Sequence, residues 1–190
     1  PFTFKKNLME IVLLFALILL NGLFAMSELA LVSARKVRLQ KLIDEGDKSA
    51  AAAVKLGEDP TRFLSTIQIG ITSIGVLNGI VGEAALAAPF AIWLQHIGLP
   101  KGVSEIGATA LVVLSITYFS IVLGELLPKR LGQINPEPIA RVVARPLQAL
   151  AMMTKPFVRL LTLSTMLMLR LFGVRNDAQA AVTEEDIQAM

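Results

Sequence analysis

Three long stretches of the chain are almost free of charged side chains. Residues 11–27, 63–82 and 106–124 contain no Asp, Glu, Lys or Arg. About 20 residues of helix cross the hydrocarbon core of a bilayer. Backbone groups in lipid must hydrogen-bond within their own segment, so each stretch predicts a transmembrane helix. The spans are predicted at 8–34, 63–82 and 105–127.

Two further stretches are apolar but interrupted. Residues 84–100 contain two prolines, Trp93 and His96, which predicts a short helix or a re-entrant segment at the outer interface. Residues 138–173 contain basic side chains four apart, Arg141 with Arg145 and Lys155 with Arg159. Each pair shares one helical face, which is typical of amphipathic helices lying in the membrane surface. The alternative, a fourth span from residue 157, would bury basic side chains.

The predicted fold class is therefore an all-α membrane protein. Each subunit has three transmembrane helices plus amphipathic juxtamembrane helices. Residues 1–135 form the transmembrane core and 136–180 the juxtamembrane helices. The acidic stretch 181–190, with Thr183 as a candidate N-cap, is predicted to begin a truncated cytoplasmic domain.

Composition supports a membrane protein. Hydrophobic residues make up 54% of the 190 residues, and charged residues only 17%, against roughly a quarter in soluble domains. The absence of cysteine excludes disulfides and zinc–thiolate sites, and a single histidine is too few for a histidine metal cage.

The basic residues are unevenly distributed. Seven lie in 35–62 and eight in 129–175, but only one lies in 83–105. Because basic loops stay cytoplasmic, the N-terminus is predicted outside and the C-terminus inside the cell (inner) membrane. Cations embedded in apolar sequence favour contact with anionic membrane lipids, and no nucleic-acid binding is predicted.

Two acids, Glu28 and Glu125, are the candidate functional residues of the spans, because ionisable residues inside a membrane usually have a function. Glu28 shares a helical face with Asn21 and Ala25. The alternative for Glu28 is an interfacial acid paired with Arg35.

The second span carries Asn78, a carboxamide that needs several partners. Ser73 is five residues earlier and would point about 140° away on an ideal helix. A single π-turn would bring the two side chains closer. The glycines Gly75, Gly79 and Gly82 are candidates for close packing between helices or subunits.

The third span ends in the sequence GELLPK. Pro128 has no N–H and cannot bond the carbonyl of Gly124, which is predicted to be free beside the Glu125 carboxylate. Thr117 and Ser120 share the face of Gly124. Such oxygens suit Mg²⁺. The alternative is that Glu125 pairs with Lys129 and that Pro128 simply ends the helix.

Three ordered motifs carry a family resemblance: NGLFAMSELALVSARKVRL, DPTRFLSTIQIGIT and GELLPK. Over residues 8–190 the chain resembles the transmembrane domain of the CorC/cyclin M family of magnesium transport proteins. The resemblance implies a homodimer with three spans per subunit, a belt of juxtamembrane helices and a following pair of cytoplasmic CBS domains. It also implies Mg²⁺ export coupled to Na⁺ entry.

The family's acid and preceding glycine match Glu125 and Gly124. With Ser27, Ser73 and Asn78 they form the ligand set that we expect for a dehydrated or partly dehydrated Mg²⁺. An alternative function is a membrane-anchored Mg²⁺ sensor that acts on another transporter. A small proton-coupled multidrug exporter fits less well, because that class lacks a long basic first loop. An intramembrane protease is disfavoured, because no nucleophile–base pair lies at a credible depth, and no enzyme is predicted.

Overall fold

The computed structural model describes the backbone of residues 2–172 and the side chains of residues 8–172. The described part is helical. Its helices are α1 (Phe2–Ser33), α2 (Lys36–Asp44), α3 (Lys48–Gly57), α4 (Pro60–His96), α5 (Lys101–Ile121), a π segment (Val122–Leu126), α6 (Leu127–Ile134), α7 (Pro136–Met153) and α8 (Lys155–Leu171). The chain divides into two compact units, Pro1–Ala151 and Met152–Met190. The predicted cytoplasmic segment 181–190 lies outside the described residues.

Three segments are long and apolar enough to cross a membrane, which confirms the predicted number of spans within residues 2–172. They are Leu8–Ser33, Pro60–His96 and Lys101–Ile134. The third consists of α5, the π segment and α6 in direct succession. Many large apolar side chains on these helices are exposed, for example Phe15, Ile80 and Leu114, as expected for surfaces that face lipid.

Local signals explain where several helices begin and end. Asp59 caps α4 by accepting a hydrogen bond from the Arg62 N–H, and Pro60 occupies the first turn. Asp47 caps α3 by accepting from the N–H groups of Ser49 and Ala50. Gly46 and Gly98 follow α2 and α4 with φ values of 92° and 96°, a left-handed conformation that favours glycine.

Helix α4 differs from the sequence prediction. The stretch 84–100 is not a separate helix or re-entrant segment, because α4 runs unbroken to His96 with Pro89 inside it. Its 37 residues correspond to about 56 Å at 1.5 Å per residue. That length exceeds a hydrocarbon core of about 30 Å, so the end of α4 extends beyond the span.

Glycines allow α1 to pack closely against the third span. A Cβ on Gly132 would lie 2.5 Å from the Met26 carbonyl oxygen, and one on Gly22 would lie 2.9 Å from Pro128 Cγ. Helix α4 packs on the same pair of spans, and Gly82 lies against Ile116. The first and third spans run parallel and in close contact near residues 22–26 and 128–132, which fixes the neighbours of Glu28 and Glu125.

A separate apolar cluster joins the short helices to the spans. Its buried side chains include Leu39 of α2, Leu56 of α3, Phe63 of α4 and Leu147 of α7. Glu137 of α7 lies 3.6 Å from the Arg38 guanidinium and accepts a hydrogen bond from the Arg35 N–H. Helix α7 is thus a packed part of the first unit.

The basic residues of α7 differ in their surroundings. Arg141 was predicted to face lipid headgroups together with Arg145, but its guanidinium forms an ion pair with Asp47. Arg145 is exposed. In the second unit, α8 has no buried side chain.

Candidate cation site between the spans

A cavity of about 230 Å³ lies between α1, α4 and the third span. We call it the central cavity. Its polar lining consists of Asn21, Asn78, Thr117, Ser120 and Glu125. Apolar side chains such as Ile71, Val113 and Ile116 line the remainder together with Gly75 and Gly79. The cavity therefore combines a carboxylate with several neutral oxygens in an apolar frame.

The π segment positions Glu125. In this segment the Leu127 N–H bonds the Val122 carbonyl, five residues back instead of four. Pro128, which has no N–H, follows directly. The helix nevertheless continues as α6 to Ile134, so the alternative that Pro128 ends the helix is wrong. The π-turn considered for the second span is absent there, because α4 is α-helical from Pro60 to His96.

The Gly124 carbonyl has a partner that the sequence analysis missed. It was predicted to be free, but it accepts a buried hydrogen bond of 2.9 Å from Asn21 Nδ2. Gly124 permits this approach, because a Cβ there would lie 3.3 Å from both Asn21 Nδ2 and the Ile18 carbonyl oxygen. An asparagine within an apolar span was the available signal, since a buried carboxamide requires partners.

Several buried polar atoms of the central cavity have no hydrogen-bond partner among residues 8–172. They are Asn21 Oδ1, both amide atoms of Asn78, and Ser120 Oγ. Asn78 is 2% exposed. Unsatisfied buried polar atoms are rare and indicate a site that takes a water or a ligand.

Glu125 and Glu28 share a cationic partner. Lys129 Nζ lies 2.9 Å from Glu125 Oε1 and 3.3 Å from Glu28 Oε2. The predicted alternative pairing of Glu125 with Lys129 is thus present. The alternative pairing of Glu28 with Arg35 is not found among the described residues, where Glu28 instead forms an ion pair with Lys129.

The structure brings together only part of the predicted ligand set. Glu125 and Asn78 line the central cavity, and Gly124 lies directly behind it. Ser27 is 4% exposed and donates a hydrogen bond to the Leu23 carbonyl at 2.6 Å. Ser73 is exposed. Neither serine lines the cavity, because Ser27 points about 120° from Asn21 and Ser73 about 140° from Asn78 around regular helices.

A larger pocket of about 400 Å³ lies between the end of α1, α2, α3 and the start of α4. Its lining is mainly apolar, with Lys36 and Glu58 as its charged members. Among the described residues no group of three or more His, Cys, Asp or Glu could hold a metal ion. The polar residues that line the central cavity are Glu125 and four side chains with neutral oxygens.

Three apolar spans around a polar, acid-bearing cavity define a multi-pass membrane domain. The chain belongs to the cyclin M transmembrane N-terminal domain family, whose sequence profile matches residues 12–190. This match confirms the resemblance carried by the three motifs. The family comprises membrane domains of the transporter type.

Curated relatives extend the comparison. A UPF0053 protein of Synechocystis sp. is 45% identical over 182 residues, which cover 96% of this chain and 41% of that protein. The polyamine export protein of Salmonella typhimurium is 32% identical over 181 residues, which cover 95% of this chain and 40% of that protein. The UPF0053 protein YhdT of Bacillus subtilis is 31% identical over 183 residues (95% and 40%). The chain thus spans about two-fifths of the length of these relatives.

Proposed function

We propose that this domain transports Mg²⁺ across the membrane, as export coupled to Na⁺ entry. The observation that carries the proposal is the central cavity, in which the Glu125 carboxylate is joined by buried polar atoms without partners among the described residues. A hard cation takes oxygen ligands, and these atoms include the amide oxygens of Asn21 and Asn78 and the hydroxyl of Ser120. Coupling to Na⁺ is inferred from the family alone.

The cavity suits a partly hydrated ion. Its volume of about 230 Å³ has room for several waters at about 30 Å³ each. Mg²⁺ gives up water reluctantly and binds at about 2.0–2.1 Å in octahedral geometry. Glu125, Asn78 and Asn21 would replace some waters and leave others in place. A single carboxylate balances half of the ion's charge, which keeps binding weak enough for release.

The other three members of the predicted ligand set are Gly124, Ser27 and Ser73. In this proposal they do not make the first contacts with the ion. The Gly124 carbonyl already accepts a hydrogen bond from the Asn21 amide and does not line the central cavity. Ser27 and Ser73 would need a different arrangement of α1 and α4 to reach the ion. We therefore assign the first contacts to Glu125 and Asn78.

Orientation follows from the distribution of basic residues. We propose an N-terminus outside and a cytoplasmic C-terminus in the cell (inner) membrane, because the loop 35–62 and the segment 129–175 are basic. Lys129 and Glu28 then lie on the cytoplasmic side of Glu125. Mg²⁺ would enter from this side.

The proposed assembly is a homodimer in contact with membrane lipids. Helix α4 offers Gly75 and Gly79, where an added Cβ would meet no atom of the described residues within 4 Å. Such a stripe allows another helix to approach closely. From the family resemblance we also propose that cytoplasmic CBS domains of the same protein are partners of this domain.

A second candidate cargo is an organic polycation. One specific observation favours it: an alkylammonium, that of Lys129, already lies between Glu125 and Glu28. Two related proteins, from Salmonella typhimurium and Escherichia coli, are named polyamine export proteins. A protonated polyamine has the same head group as lysine and would compete for the same carboxylates.

Flux in liposomes tests the proposal. The full-length protein is reconstituted with an internal Mg²⁺ indicator, and Glu125→Gln is compared with wild type. Glu105→Gln is the matched control, because Glu105 is an exposed acid on α5 paired with Lys101. We expect Mg²⁺ flux that Glu125→Gln abolishes and Glu105→Gln preserves.

Other outcomes select the alternatives. Flux of spermidine without flux of Mg²⁺ would assign the domain to polyamine transport. Mg²⁺ binding that depends on Glu125 but gives no flux with or without a Na⁺ gradient would favour the membrane-anchored sensor.

A further inference from the structure

Lys129 connects Glu28 of the first span with Glu125 of the third span. Its ammonium lies 2.9 Å from Glu125 Oε1, one turn earlier on the same span, and 3.3 Å from Glu28 Oε2 on α1. The side chains of Lys129, Glu125 and Glu28 are 28%, 38% and 22% exposed. Lys129 donates a hydrogen bond to Glu125, whereas Glu28 Oε2 accepts no hydrogen bond from the described residues and its contact with the ammonium is an ion pair. The contact with Glu28 crosses between helices and depends on the close packing at Gly132 and Gly22.

The Lys129 ammonium neutralises carboxylate charge, but several buried polar atoms of the central cavity still lack a hydrogen-bond partner among the described residues. The two amide atoms of Asn78, the Asn21 oxygen and the Ser120 hydroxyl have no hydrogen-bond partner in the described part of the chain. Among the described residues, Glu125 is the only acid that lines the cavity, and it is the side chain bound by Lys129. The polar atoms of the cavity are therefore ready for a ligand while its carboxylate is already occupied.

We propose that Lys129 is a tethered counter-ion that the cargo cation displaces from Glu125, and that Glu28 retains the displaced ammonium. This inference rests on the proposed function, in which Glu125 binds the cargo. Lysine has a flexible four-carbon stem, so its ammonium can shift from one carboxylate to the other without leaving the site. Glu28 gives it a second partner that is already within 3.3 Å.

The arrangement affects both affinity and release. Glu28, Lys129 and Glu125 together have a formal charge of −1. A divalent cargo brings this group to +1, whereas without Lys129 it would be neutral. The retained ammonium therefore weakens cargo binding and promotes dissociation, because like charges at short range repel. Lys129 acts as a positioning and affinity-setting residue and makes no bond to the cargo.

The roles of Lys129 and Glu28 predict opposite effects on Mg²⁺ binding. Lys129→Gln removes the competitor, so we expect the affinity to rise about 1.5- to fivefold, the range for a partly exposed ion pair. Glu28→Gln removes the second partner and leaves the ammonium to Glu125 alone, so we expect the affinity to fall by a similar factor. The double variant keeps the formal charge of −1 but lacks the competing ammonium, so it should bind more tightly than Glu28→Gln and less tightly than Lys129→Gln.

Calorimetry with MgCl₂ on the purified full-length protein at constant ionic strength measures these affinities. Arg130→Gln is the control, because it removes a neighbouring positive charge that is exposed and outside the site. Unchanged or weakened binding in Lys129→Gln would overturn the proposal. So would a double variant that binds as weakly as Glu28→Gln, which would make Glu28 a direct ligand.

Two further results keep the test decisive. If Lys129→Gln alone fails to fold, the double variant restores the charge balance and is compared with Glu28→Gln. Unchanged Mg²⁺ binding in Glu125→Gln would contradict the proposed function itself, whatever the effect of Lys129.

Discussion

The side-chain amide of Asn21 donates a hydrogen bond of 2.9 Å to the main-chain oxygen of Gly124. This bond joins the first span to the π segment of the third span, next to the position where Pro128 offers no N–H. The other atom of the same amide group, Oδ1, has no partner among the described residues, and Asn21 lines the central cavity. One carboxamide therefore supports an irregular helix and contributes an oxygen to the candidate site.

Replacing Asn21 should destabilise the domain. Asn21→Leu removes the amide that donates to the Gly124 carbonyl, so this buried oxygen loses its hydrogen bond. The loss should lower the free energy of unfolding by about 1–3 kcal/mol. Thermal unfolding in detergent should show a lower midpoint than wild type. Asn135→Leu is the control, because Asn135 is exposed at the end of α6. Equal midpoints for Asn21→Leu and wild type would mean that the hydrogen bond contributes nothing to stability.

The close approach of α1 and α6 predicts a second destabilising change. A Cβ on Gly132 would lie 2.5 Å from the Met26 carbonyl oxygen, and backbone cannot move as a flexible side chain can. Gly132→Ala should therefore separate the helices, at a cost of about 1–3 kcal/mol. Gly102→Ala, where an added Cβ meets no described atom within 4 Å, should be neutral or slightly stabilising. Unfolding midpoints of the two variants make the comparison.

Much of this architecture could be predicted from the sequence. Runs without charge identified the three spans, because the requirement for apolar helix in lipid is local to each segment. The extension of α4 was missed since Glu83 and Pro89 interrupt the apolar pattern without breaking the helix. The site was harder, because its contacts depend on how helices are rotated and in which register they pack. Periodicity along α1 does not indicate that Asn21 lies beside Gly124 or Glu28 beside Lys129.

The serines show the same limit. Residue type alone made Ser27 and Ser73 reasonable oxygen ligands, but their directions on α1 and α4 keep them off the lining of the central cavity. Asn78 does line that cavity, and its residue type was the signal, because a carboxamide in an apolar helix needs polar surroundings. A π-turn was considered only for the second span, whereas the π segment lies in the third span, next to Pro128 and the side chain of Asn21.

Asn78 should show opposite effects on stability and function. Its two amide atoms are buried without a hydrogen-bond partner among residues 8–172, and such groups cost about 1–3 kcal/mol. Asn78→Leu should raise the unfolding midpoint of the cation-free protein and abolish cation flux in liposomes. Thr66→Val is the control, because the Thr66 hydroxyl is buried on the same helix but already bonds the Arg62 carbonyl. A lower midpoint in Asn78→Leu would indicate that Asn78 is structural.

Asp47, which caps α3 outside the spans, should make the stability of the domain depend on pH. Desolvation raises the pKa of Asp47. Hydrogen bonds from the backbone N–H groups of Ser49 and Ala50, together with the charge and hydrogen bond of the Arg141 guanidinium, lower the pKa by more than desolvation raises it. The pKa of Asp47 therefore lies below its ordinary value of 3.8. An acid with a lowered pKa in the folded state contributes stability above its unfolded pKa and loses it as the pH falls through the folded pKa.

Asp47→Asn isolates this contribution. Asparagine still caps α3, but it cannot pair with Arg141. The unfolding midpoint of the variant should lie below that of wild type at pH 7 and converge with it as the pH falls below 3.8. In an Arg141→Gln background the difference at pH 7 should shrink, because the ion pair is already lost. A difference between wild type and Asp47→Asn that persists unchanged into acid would mean that packing around Asp47, and not its charge, stabilises the junction of α3 and α7.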